Sequence, residues 1–170
     1  MLSLFQKYRY RFKTKGDFLN CFFANPKHEW ITSDRYLKSS FDEFFSFVPL
    51  TIINELYQKH SDIWFVKSNG RFSCTFSSEM CPVVIIFPEL VKELSSFNPR
   101  GAHAVLAHEL GHVFHEHSKK MIDPMQAQVE ADEFAIDLGF EIEIEDFLNS
   151  RPESVEKRVR LTYLTSKVLG

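Results

Sequence analysis

Residues 104–114 read Ala-Val-Leu-Ala-His-Glu-Leu-Gly-His-Val-Phe, and this stretch decides how the rest of the chain is read. Apart from His108, Glu109 and His112 it is apolar or glycine, without proline, and it predicts a largely buried helix within residues 101–117. On that helix His108 and His112 stand one turn apart on the same face. Two imidazoles at this spacing can meet one Zn²⁺ at about 2.0–2.1 Å each. Glu109 points about 100° away, so it can reach a metal-bound water as general base without ligating the metal. Two histidines and a glutamate in a buried helix are costly unless they have partners, and a metal ion is the natural one. Gly111, between them, lets another backbone or a substrate come close.

Catalytic zinc usually takes three protein ligands, so the neighbouring helix, expected over residues 125–139, must supply one more. Projected at about 100° per residue, Gln128 and Asp132 fall inside its apolar arc with Ala131 and Ala135. Glu130, Glu133 and Asp137 fall on the opposite, wet face. The His-Glu-Leu-Gly-His of 108–112, the further His115, and Glu-Ala-Asp-Glu-Phe-Ala at 130–135 resemble the zincin metallopeptidases. Within these the resemblance is to the gluzincin group that includes the HtpX/Ste24-like and ImmA/IrrE-like families. It implies a glutamate ligand four residues before an aspartate that holds the first ligand histidine from behind. Carried over, Asp132 supports His108, and the ligand position falls on Gln128, a departure from the family pattern. A glutamine carbonyl is a weak zinc ligand. Three outcomes stand in order: Gln128 ligates weakly, Asp132 moves in as ligand, or a register shift recruits Glu130.

Other polar residues are read more plainly. His115 lies on the right face but a further step along the axis, where it lines the cleft or orients something. His103 and His117 are expected at the surface or at helix ends. The resemblance also implies an oxyanion helper, for which Tyr163 and His115 are the candidates, and a substrate laid as an extra strand along Val83–Phe87.

Outward from the motif, 170 residues with 44% hydrophobic and 25% charged residues suit one soluble domain spanning 1–170. No apolar run is long enough to cross a membrane, and the basic first fifteen residues contain no signal-peptide core. Cys21, Cys74 and Cys81 form no C-x-x-C pair and read as reduced thiols of a cytoplasmic protein. The eighteen phenylalanines point to an aromatic core. Lys7, Arg9, Arg11, Lys13 and Lys15 alternate with Tyr8, Tyr10 and Phe12, the pattern of an edge strand rather than of a nucleic-acid surface. The acids between Glu130 and Asp146 read as a solvated helix face.

Helices are expected over 40–48 and 50–60, separated at Pro49, then over 89–96 and, after Pro152, over 153–168. Ile63–Lys67 and Arg71–Phe76, joined at Ser68-Asn69-Gly70, predict a hairpin, and Val83–Phe87 a further strand. Strands followed by helices give an α+β class: a small mixed or antiparallel sheet packed on the active-site helix and a second, backing helix, zincin-like. The function expected is hydrolysis of a peptide or protein substrate by a zinc-dependent peptidase. Its ligands are His108 and His112 with Gln128, Asp132 or Glu130, and its base is Glu109. The alternative is an inactive or weakly metal-binding module that binds a regulatory partner such as a transcriptional repressor.

Overall fold

The computed structural model of the protein describes residues 12–68, 74–77 and 81–169. The chain divides into two compact units, residues 1–97 and 98–170. The expected edge strand over the N-terminal basic residues lies outside the described residues up to residue 11. Where description begins, Thr14 caps a helix instead. Its side chain accepts from the Asp17 N–H while Asp17 accepts from the Thr14 N–H, a reciprocal capping box. The helix it starts is α1 (Lys15–Ala24), unforeseen because its apolar residues are too clustered for a clear helical period.

A 3-10 turn at Pro26–His28 and the short α2 (Glu29–Thr32) lead to α3 (Arg35–Phe47), which Asp34 caps through the Tyr36 and Leu37 N–H groups. α4 (Leu50–Lys59) follows across Pro49, as the sequence predicts. These helices bury Phe18, Phe22, Phe41, Phe44 and Phe45 together with Phe65 of the sheet. The rings meet edge to face, Phe18 on Phe45 at 4.7 Å and Phe41 on Phe65 at 5.5 Å. Each such ring contributes roughly 1.5–3 kcal/mol by burial, and its edge-to-face partner about 0.5–1.5 kcal/mol more. The phenylalanine excess is therefore largely the core of the first unit. His28 is buried within it, accepting from the Phe65 N–H at 3.2 Å and donating from Nδ1 to the Phe22 carbonyl at 2.8 Å. Burial holds this imidazole's pKa below its ordinary value, in keeping with the neutral tautomer those two bonds require.

Among the described residues the sheet has three strands, β1 (Trp64–Lys67), β2 (Cys74–Ser77) and β3 (Pro82–Ile86), in the order β1-β3-β2. β3 runs parallel to β1 and antiparallel to β2. The predicted β1–β2 hairpin is thus not formed, because β3 lies between the two strands. β3 is the β-branched, apolar strand, with Val84 and Ile86 fully buried, and burial favours it at the centre. Flanked on both sides, β3 has no free edge, and the expectation that substrate pairs with Val83–Phe87 is overturned. The helix α5 (Pro88–Leu94) ends the unit.

The second unit is all helix: α6 (Arg100–Phe114), α7 (Pro124–Asp137), α8 (Glu141–Ser150) and α9 (Val155–Leu169). Asp123 caps α7, with Pro124 in the first turn where a missing N–H costs nothing. Gly139, at φ 90°, ends α7 in the left-handed conformation, and α8 begins two residues on. α8 is a helix that the acidic run concealed. Ser154 accepts from the Lys157 N–H at 3.1 Å, which starts α9 two residues later than Pro152 suggested. The whole is an α+β protein, mostly helical with one small mixed sheet.

Candidate metal centre

α6 places His108 and His112 on one face, and their Nε2 atoms lie 3.2 Å apart. A tetrahedral zinc ion with nitrogen ligands at 2.0–2.1 Å sets those nitrogens about 3.3 Å apart. The pair thus has the separation that one shared ion demands. α6 is deeply set, with Ala104, Leu106 and Ala107 at 0% exposure and Leu110 at 1%. Glu109 is half-buried on the same turn.

The close approach of α7 is made by Gly111. A Cβ there would lie 3.0 Å from Ala131 Cα and 3.0 Å from Phe134 Cβ. That contact brings Asp132 under His108, whose Nδ1–H donates to Asp132 Oδ1 at 2.8 Å. With Nδ1 carrying the proton, the His108 Nε2 lone pair faces the site. Asp132 is itself clamped by Arg160 of α9, Nε on Oδ2 at 2.7 Å and Nη2 on Oδ1 at 2.7 Å. Burial alone would raise the Asp132 pKa, but the hydrogen bonds from His108 and Arg160 outweigh it and hold the carboxyl below its ordinary value. Both carboxylate oxygens are therefore engaged, in a side chain only 3% exposed.

His112 is backed differently. Its Nδ1 lies 2.8 Å from Nδ1 of His117, whose Nε2 lies 2.9 Å from Glu130 Oε2. Glu116 makes this possible by adopting the left-handed conformation at φ 54°, which ends α6 and turns His117 back beneath it. The His117 side chain is 7% exposed, so it is not at the surface, but it opens the 3-10 turn His117–Lys119 and so stands at a helix end, the other expected place. His103 likewise lies at a helix end, in the first turn of α6, but it is fully buried, 6.4 Å from the Phe140 ring. His115 stacks on His117 with ring centroids 5.4 Å apart.

Burial first, then the neighbouring His108 and His117, push the His112 pKa down to about 3, so its ring is neutral at ordinary pH. Of the three candidates for a further ligand, Asp132 is committed to His108 and Arg160. Glu130 is committed to His117 and Gln126. Gln128 is half-buried on α7, one turn before Asp132. Tyr163 interacts with Glu133, and this contact, after burial, raises its pKa.

Two residues of the array escaped the sequence reading. Arg160 sits in a helix rich in charge, where an arginine ordinarily reads as solvated. His117 required a left-handed glutamate, which no residue preference announces.

Residues 76–144, less than half of the chain, match the model of peptidase family M48. The stretch includes His108, Glu109, His112, His117, Gln128, Glu130 and Asp132, whereas Arg160 lies beyond it. Peptidases of this family are zinc-dependent in general, and the match supports a zinc metallopeptidase at that level. No curated protein and no solved structure matches the chain. No helix among the described residues is long and apolar enough to cross a membrane.

Proposed function

We propose that the chain is a zinc-dependent peptidase whose ion is held by Nε2 of His108 and Nε2 of His112, with the Gln128 carbonyl as the third protein ligand. The observation that carries this reading is the 3.2 Å convergence of the two Nε2 atoms, with His108 fixed from behind by Asp132. Gln128 is assigned because it stands four residues before Asp132, where the resembled families place their glutamate ligand. Zinc so placed supplies a Lewis acid for the scissile carbonyl and lowers the pKa of water near it.

The chain's own residues do the rest. Asp132, locked by Arg160, keeps the His108 ring in the tautomer that points Nε2 into the site. Glu109 takes a proton from the attacking water as the oxygen–carbon bond forms. It then delivers that proton to the leaving amine as the carbon–nitrogen bond breaks. The substrate is a peptide or protein.

The test is Glu109→Gln, which removes the base and leaves the histidines in place. Peptide hydrolysis is expected to fall by about 10²–10⁴-fold with bound zinc unchanged. Equal hydrolysis in the variant overturns the assignment. A second reading rests on Gln128, whose neutral carbonyl is a poor substitute for carboxylate. On that reading the chain is a binding module for a regulatory partner, and its biological effect survives Glu109→Gln intact.

A further inference from the structure

We propose that His115, His117 and Glu130 form a second, outer cation site that competes with the His108–His112 site through one shared hydrogen bond. Ligand atoms of these three residues all lie within 4.8 Å of one another. Two imidazoles and a carboxylate suit a borderline divalent transition-metal ion such as zinc, rather than magnesium or calcium, which prefer all-oxygen shells. Glu130 Oε2 and His117 Nε2 are 2.9 Å apart, so an ion would replace the proton between them with a small outward shift of either side chain. The Glu130 side chain, 27% exposed, gives solvent a route to the position. His115, stacked on His117, supplies the third ligand from the same turn of chain.

The coupling follows from proton positions. When His112 Nε2 ligates the inner ion, the proton of that neutral ring sits on Nδ1 and donates across 2.8 Å to Nδ1 of His117. His117 then carries its own proton on Nε2 and donates to Glu130. An outer ion takes that Nε2 lone pair and moves the His117 proton to Nδ1. Two N–H groups would then face each other, unless His112 turned its proton to Nε2 and released the inner ion. Each ion therefore deprives the other of a well-made supporting hydrogen bond. Such partners behind a ligand histidine are worth about 10–100-fold in metal affinity. The coupling rests on His108 and His112 being ligands, whereas the outer site stands without it.

Calorimetric titration of the metal-free full chain with Zn²⁺ alone tests both parts. The wild type is expected to take up two ions in sequence, the second at least about tenfold more weakly. His115→Ala and Glu130→Gln are expected to lose the second ion and keep the first, since the amide carbonyl introduced by Glu130→Gln still accepts from His117. His108→Ala is expected to lose the inner ion and bind the outer one about tenfold more tightly than the wild type binds its second. A wild type that takes one ion up to millimolar zinc, with that ion lost in His108→Ala, overturns the outer site. So does a second ion that persists in both outer-site variants. Unchanged outer affinity in His108→Ala overturns the coupling. A first ion that survives His108→Ala and disappears in His115→Ala overturns the inner-site reading instead.

Discussion

At the scale of single residues, the site depends on which group stands behind each histidine. Asp132 ties α6, α7 and α9 together through His108 and Arg160, with both of its oxygens at 2.7–2.8 Å from their donors. Asp132→Asn leaves the buried Arg160 guanidinium with only the half-exposed Glu156, at 2.9 Å, as counter-charge. Removing one partner of a buried pair costs about 3–5 kcal/mol, and a ligand histidine that loses its carboxylate binds metal about 10–100-fold more weakly. Urea unfolding and zinc competition on this variant are expected to show both losses; a drop in stability with unchanged zinc affinity would contradict the positioning role.

His112 sets a pH dependence in the metal-free protein. Its pKa falls from 6.5 to about 3 on folding, so between those values the unfolded chain binds a proton that the folded chain refuses. Stability is therefore full above pH 6.5 and declines with acid, by up to about 1.4 kcal/mol per pH unit from this group. Asp132, held below its ordinary 3.8, acts in the same direction at lower pH. The urea midpoint of the metal-free protein is expected to fall from about pH 7 to about pH 4.5, and less steeply in His112→Gln. A midpoint equally steep in both would remove His112 as the cause.

At the scale of elements, α6 and α7 carry the site because Gly111 lets them close on Ala131 and Phe134. Gly111→Ala gains helix propensity worth about 1 kcal/mol, but its methyl meets backbone and a Cβ that cannot swing away. Overpacking costs about 1–3 kcal/mol, so net destabilisation of about 1 kcal/mol is expected in urea unfolding, with weakened zinc binding as Asp132 withdraws. A stabilised variant would show that the helices have room to spare. These two helices were legible in the sequence because their chemistry is local: HELGH spacing and the Ala131–Ala135 face each act within a few residues. The strand order was not. Asn69-Gly70 announced a turn, but the choice of β3 as the central strand depends on burial of Val84 and Ile86, a property of the whole unit. α1 and α8 escaped for a related reason, since a capping box at Thr14 and a glycine stop at Gly139 define them more than any apolar period does.

At the scale of the whole molecule, the chain is two compact units, an aromatic-cored one that carries the sheet and a helical one that carries His108, His112, His115 and His117. The acidic run of 130–146 is not simply a solvated face. Arg100 binds Glu143 at 2.6 Å, and Lys167 reaches Glu133 at 2.9 Å and Asp137 at 2.8 Å. Half-exposed pairs of this kind contribute about 0–1 kcal/mol each, so their effect is to balance charge around the helices more than to stabilise them. The central claim is that the second unit closes a metal centre although Gln128 stands where the resembled families place glutamate. The measurement that tests it most directly is zinc per chain in protein purified without added metal, beside a His112→Ala/His115→Ala variant that also lacks the outer cation site. About one equivalent in the wild type, lost in the variant, is the expected result, since two imidazoles and a carbonyl with a water complete four-coordination. A wild type without zinc, or a variant that retains it, would contradict the account.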